Sequence, residues 1–142
     1  MRVSAAIYNI LSNSATVAQQ LGTGDRIFPL VAKATQSLPF IIYEITQDDP
    51  VQTKDGQDSS YIRVFRLEIL CYAETYNSVT NIASAARRTL NRAPNYPSTS
   101  YGAIKLQSIN YINSTEEFEA GSGKNGIYRT RLVFEVRQNT IS

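Results

Sequence analysis

The chain has 142 residues, a length that suits one domain with a core of its own, and its 14 Lys and Arg against 12 Asp and Glu give a formal net charge of +2. With 42% hydrophobic and 18% charged residues, and no apolar run near the ~20 residues of a membrane helix, these figures exclude a disordered acidic tail, a histone-like polycation and a helical membrane span. Histidine is absent, which excludes His-based triads, imidazole acid–base chemistry and His-ligated metals.

Val3, Ile7, Ile10, Leu11, Val17 and Leu21 recur at helical spacing and predict a helix over 3–21. Its weak point is Asn13-Ser14, where short polar side chains compete for helix backbone groups, and Gly22 and Gly24 supply the stop. The apolar run from Arg26 to Val31 contains Pro29, which lacks an amide donor, so it reads as an edge strand or an extended arm. Leu38 to Ile45 is β-branched and aromatic, hence a strand. Residues 47–60 hold Asp, Gln, Ser, Gly and Pro with hardly any apolar content and read as a long loop. From Tyr61 to Tyr72 the sequence alternates: Phe65, Leu67, Ile69 and Cys71 share one face, with Arg66, Glu68, Val64, Leu70 and Tyr72 on a mixed second face suited to being covered.

Asn77 or Ser78 is the expected cap of a second helix whose stripe is Val79, Ile82, Ala83, Ala86 and Leu90, with Arg87, Arg88 and Arg92 near its C-terminus, where they favour the macrodipole. A turn-rich connection follows, from Ala93-Pro94 to Gly102. Ile104, Leu106, Ile109, Tyr111 and Ile112 suggest a strand whose change of parity after Leu106 points to a bulge. Residues 113–126 read as a second polar loop, with Ser114 and Glu117 spaced as a capping box. Tyr128, Thr130, Leu132, Phe134 and Val136 then alternate with Arg129, Arg131, Glu135 and Arg137 as a final strand. The order α-β-β-β-α-β-β describes one α+β domain over 1–142. It implies a mostly antiparallel sheet of about four to five strands with two helices on one face. Phe65, Leu67, Ile69, Leu132, Phe134 and Val136 are expected to pack against Ile7, Ile10, Leu11, Ile82 and Ala86.

The chemistry-bearing motifs are weak. Gly121-Ser122-Gly123-Lys124-Asn125-Gly126 matches GxGxxG, but a phosphate cradle needs a helix after it, and here a strand follows and no Ser or Thr follows Lys124. Asp48, Asp49, Asp55, Asp58, Glu116, Glu117 and Glu119 read as solvated loop charge without calcium-loop spacing. The single Cys71 lies on the apolar side of its strand and lacks the usual histidine base, so it is expected to be structural, and one cysteine suits a reducing cytoplasm. The start, Met1-Arg2-Val3-Ser4, carries no apolar secretion signal, which leaves the Asn113-Ser114-Thr115 sequon without weight. No catalytic residue, cofactor or metal site is expected. Arg66, Arg129 and Arg131 form a basic stripe if their strands are neighbours; the alternative is that their stems cover apolar sheet surface. Finally, 14 Ser, 12 Thr, 10 Asn and 8 Gln outnumber the charged residues, and nine tyrosines accompany them, a composition that suits an interface or simply reflects a polar bias.

Taken in order, Ala5-Ala6-Ile7-Tyr8-Asn9-Ile10-Leu11, Gly24-Asp25-Arg26-Ile27-Phe28-Pro29, Leu38-Pro39-Phe40-Ile41-Ile42-Tyr43, Leu70-Cys71-Tyr72-Ala73-Glu74-Thr75-Tyr76, Ala85-Ala86-Arg87-Arg88-Thr89-Leu90 and the closing Tyr128 to Val136 resemble the tail-completion, or tail-terminator, proteins of long-tailed bacteriophages over nearly the whole chain. The resemblance implies a structural virion protein, an α+β sandwich that assembles into a homohexameric ring. That ring sits on the head-proximal end of the tail tube, ends tube polymerisation and docks the head-completion protein, with DNA passing through the lumen. It implies the tail tube, the head-completion or connector protein and the chain itself as partners, no membrane, and a place in the virion neck after synthesis in the host cytoplasm. The residues expected at ring or tube contacts are Gln47, Asp48, Asp49, Lys54, Asp55 and Asp58 of the first polar segment, whose net charge of −3 disfavours DNA, together with Arg66, Tyr72, Arg129 and Arg131. The alternatives are another head–tail connector or tail-tube ring protein, or a small nucleic-acid-binding α+β domain.

Overall fold

A computed structural model describes residues 3–22, 26–30, 37–51, 60–91, 106–119 and 126–141. Two short helices, α1 (Val3–Ser12) and α2 (Ala15–Leu21), precede strands β1 (Ile27–Pro29), β2 (Phe40–Val51) and β3 (Ser60–Ala73). Helix α3 (Tyr76–Leu90) then leads to β4 (Leu106–Glu119) and β5 (Ile127–Ile141). The five strands form one sheet in the order β1-β2-β3-β5-β4, antiparallel except for the β1–β2 pair. This is the expected α+β domain with the first helix divided in two.

Local chemistry explains the division. Asn13 closes α1 through its amide bond to the Asn9 carbonyl and a side-chain bond to the Asn9 side chain. The Ser14 hydroxyl then accepts from the Val17 amide at 3.3 Å and starts α2. The same hydroxyl lies 3.0 Å from Thr89 Oγ1, so the break ties the start of α2 to the end of α3. Helix α2 stops at Gly22, whose φ of 90° a residue with a Cβ adopts only under strain. The cap of α3 differs from expectation: Thr75, not Asn77 or Ser78, accepts from the Ser78 amide at 3.1 Å, and Ser78 is already helical. At the other end the Asn91 amide bonds the Arg87 carbonyl, and Asn91 Oδ1 accepts from the Tyr111 amide at 3.1 Å, anchoring α3 to β4.

Two polar segments read as loops are largely strand. Residues 47–51 continue β2, paired from Gln47 opposite Arg66 to Val51 opposite Ile62, and residues 113–119 continue β4, paired from Asn113 opposite Val133 to Glu119 opposite Ile127. Ser114 and Glu117 therefore belong to a strand and cap no helix. Residues 52–59 and 120–125 lie outside the described residues. Polarity misled because a strand at a sheet edge draws its order from one neighbour's backbone while its side chains stay solvated. The expected bulge is present between Leu106 and Ser108, with a second between Tyr111 and Asn113 that restores pairing after the parity change and a third in β2 between Ile45 and Gln47.

Helices α1 and α3 cover one face of the sheet. Phe65, Leu67, Ile69, Leu132, Phe134 and Val136 are buried there with Ile7, Ile10, Leu11, Ile82 and Ala86 in one cluster, as their periodicities require. Phe134 is the largest fully enclosed side chain, with Tyr111 edge-on at 5.8 Å. Phe134→Ala is expected to lower unfolding free energy by about 3–5 kcal/mol in chemical denaturation. An unchanged midpoint would place Phe134 outside the core.

Candidate functional site

The face of the sheet turned away from the helices carries four of the sequence-derived candidates. β3 and β5 are neighbours, with Tyr72 opposite Arg129, Leu70 opposite Arg131 and Arg66 opposite Glu135. Tyr72 stacks on Phe40 at 4.8 Å, Phe40 meets Phe28 at 6.3 Å, and the Arg129 guanidinium lies 6.0 Å from the Tyr72 ring centre. Ile42, Leu70 and Val133 are buried on this same face, outside the helix-side cluster. The stems of Arg131 and Glu68 cross beside them, with Arg131 Nε 3.2 Å from Glu68 Oε1, an ion pair not aligned as a hydrogen bond.

The stripe is consequently not a basic one. Arg129 pairs with Glu117, Arg131 with Glu68 and Arg137 with Glu135. Hydrogen bonding to Tyr72 and then to Glu117 holds the Arg129 guanidinium still more firmly protonated. Only Arg66 on this face has no carboxylate partner among the described residues. Cross-strand register brings the carboxylates beside the arginines, and the arginines act mainly as cover for apolar sheet surface.

The other candidates divide. Gln47 stands opposite Arg66, Asp48 opposite Phe65 and Asp49 opposite Val64, so these three are strand residues and not loop residues, and Gln47 and Arg66 are brought together. Lys54, Asp55 and Asp58 lie outside the described residues.

A second feature escaped the sequence reading. Where the α3 N-terminus meets the β4–β5 end of the sheet, Tyr76, Val79, Glu116, Glu117, Phe118, Tyr128, Arg129 and Thr130 line an open apolar slot of about 160 Å³. Tyr128 is its centre: Tyr76 is 5.9 Å from it edge-on and Phe118 4.7 Å away, tilted. Tyr76 and Phe118 remain more than half exposed. The Glu116 carboxylate faces the Tyr76 hydroxyl and pushes its pKa up. Thr130, only 5% exposed, is part of the lining, and its enclosed hydroxyl has no hydrogen-bond partner among the described residues. A polar cleft of about 230 Å³, lined by Tyr72, Glu119 and Ile127, shares Glu117, Phe118 and Arg129 with the slot. Gly126 is required here, since a Cβ would run into the Phe118 ring and the Glu119 carbonyl. The signal was the alternation of Ser114, Glu116 and Phe118, hidden by the polarity of the segment.

Cys71 is fully enclosed, and burial pushes its thiol from 9.0 up to about 12. Among the described residues no group of three His, Cys, Asp or Glu side chains is placed to hold a metal ion, and no helix is long and apolar enough to cross a membrane.

Fold and surface together define an α+β domain with paired surface charges and an aromatic recess. No family model and no curated protein matches the chain. Among solved structures it is similar to a chain of the "Virion of native gene transfer agent (GTA) particle", with 16% identity and a TM-score of 0.65 over 96% of this chain and 94% of that one. At that identity the likeness establishes a shared fold across essentially both chains.

Cys71 generates a prediction. The folded state keeps the thiol protonated while the unfolded chain releases its proton first, so this group's stabilising contribution is complete below pH 9 and is lost as pH rises through about 12. Native protein at pH 8 is expected to resist a thiol-trapping reagent and to react fully once denatured. Rapid labelling of the native chain would show that Cys71 is accessible.

Proposed function

We propose that this protein is a structural component of a phage-like virion, and specifically a tail terminator. In this reading copies of the chain form a ring, a homohexamer by resemblance, on the head-proximal end of a tail tube. The ring stops tube polymerisation and offers the docking surface for the head-completion protein, and DNA passes through the lumen without sequence-specific contact. The observation that carries the reading is the whole-chain likeness of fold to a chain of a gene transfer agent virion, joined to the ordered sequence segments that resemble tail-completion proteins.

Surface physics supports a role by contact. Among the described residues, β4 is a long outer strand with one side of its backbone unpaired, and β1 pairs only Ile41 to Tyr43 of β2, so both edges of the described sheet offer backbone groups to a neighbouring chain. Exposed Ile112 and Phe118 on β4 are apolar area that such a neighbour would bury. The solved likeness is to a chain of a complete particle, which favours as second reading another ring of the neck or tail tube. A nucleic-acid-binding domain is disfavoured because carboxylates pair three arginines of the open face.

Particles from a strain lacking the gene are expected to show overlong tails, or tails of normal length that fail to join heads, under negative-stain imaging. Normal joined particles would overturn the terminator role. The purified chain is also expected to show no DNA affinity that falls steeply with salt; a log–log slope of several units would favour the nucleic-acid reading instead.

A further inference from the structure

The aromatic slot lies at the start of α3, where the described carboxylates outnumber Arg129 of the lining, while the other end of the helix carries arginines. At the slot end stand Glu74, Glu116, Glu117 and Glu119, all exposed, and Glu117 alone has a cation partner among the described residues. At the other end of α3 stand Arg87 and Arg88, both exposed and near no carboxylate among the described residues. Arg87 is occupied by the Tyr111 ring, 3.9 Å from its guanidinium. Arg88 reaches only Ser84 Oγ in its own helix, at 3.4 Å. Arg88 lies twelve residue steps beyond Tyr76 along α3, about 18 Å at the α-helical rise, too far for Arg88 to fill the slot of its own chain.

We propose that the slot of one copy receives Arg88 of the next, joining copies of this chain head to tail. The walls suit a guanidinium. Three aromatic rings, Tyr76, Phe118 and Tyr128, present π surface, and arginine over aromatic faces is favourable where water is displaced. Glu116 supplies a carboxylate at the rim, and because Glu117 pairs with Arg129 in the same lining, the slot keeps one carboxylate free of a cation among the described residues for an incoming guanidinium's N–H groups. The volume, about 160 Å³, matches a cavity of about 150 Å³ that takes up a benzene ring, so it admits a planar group of that size. Between the two ends the exposed stripe of α3 carries Thr80 and Ser84, small residues that leave the helix surface low. Arg66, which among the described residues also has no carboxylate partner, lies mid-strand opposite Glu135 and projects from no helix end.

Two different patches at opposite ends of one molecule make a heterologous contact, which propagates and closes into a ring when its rotation allows. The inference rests on the ring reading above and names the side chains that join its subunits.

Sedimentation velocity over a concentration series tests it, with circular dichroism and melting as controls of folding. The wild-type chain is expected to associate beyond a dimer. Arg88→Glu and Glu116→Arg are each expected to weaken association by on the order of tenfold or more, and the two together to restore it. Phe118→Ala, which removes an aromatic wall from a side chain more than half exposed, is expected to weaken association with little change in melting temperature. Association at the wild-type level in all three single variants overturns the slot contact. A wild-type chain that stays monomeric, or stops at a dimer, overturns head-to-tail joining. The copy number of the chain in purified particles, measured separately, decides whether the ring reading falls with it.

Discussion

The antiparallel pairing of β3 with β5 is the constraint on which the rest of the structure depends. The register runs without a break from Ser60 opposite Ile141 to Ala73 opposite Tyr128. Because side chains alternate strictly along a strand, this one pairing decides at every level which residue meets the helices and which meets water, and a slip of one residue would reverse all of them. Phe65 and Val136, Leu67 and Phe134, and Ile69 and Leu132 become opposite pairs on the helix side. The apolar stripes of α1 and α3 then have a single continuous surface to cover, and α2 is held by its contact with the end of α3.

The same register makes the second face what it is. Arg129, Arg131 and Glu135 fall on the side away from the helices, as do Arg66, Glu68 and Tyr72. Opposite charges on one pleated face end up as direct or diagonal neighbours, so the arginines find carboxylates before they find a ligand. Exposed ion pairs of this kind add little stability. Their stems also add cover beside Ile42, Leu70 and Val133, which are buried on this face.

The edges follow from the sheet order. β5 sits between β3 and β4, leaving β4 as a long outer strand, and its Glu116 to Glu119 end meets the start of α3. There Tyr76, Phe118 and Tyr128 form a recess, and the Thr130 hydroxyl is enclosed beside it with no partner among the described residues. An unpartnered buried hydroxyl costs free energy in the isolated chain. The recess and the unpaired edge lie together, so the part of the fold least complete by itself is also the part with most to gain from a neighbour.

Much of the architecture was legible in the residues alone. The apolar spacing from Val3 to Leu21, read as one helix that the structure divides in two, the alternation of Phe65 to Cys71 and of Thr130 to Val136, and the stripe from Val79 to Leu90 determined the helical regions, the two central strands and most core residues, because burial on one face leaves a period in the sequence. Pro29 marked an edge strand, since a missing amide donor is tolerated only there. The polar strands at 47–51 and 113–119 left no such period, because an edge strand is ordered by a neighbour's backbone, which its own side chains do not encode. The charge of the open face and the aromatic slot were likewise decided only in three dimensions. Glu68, Glu117 and Glu135 neutralise arginines through strand register, and Tyr76, Phe118 and Tyr128 meet because a helix start is set beside a hairpin end. Periodicity reports how each residue relates to water; which distant residues it will touch is a property of the packing of whole elements, and that only the tertiary structure supplies.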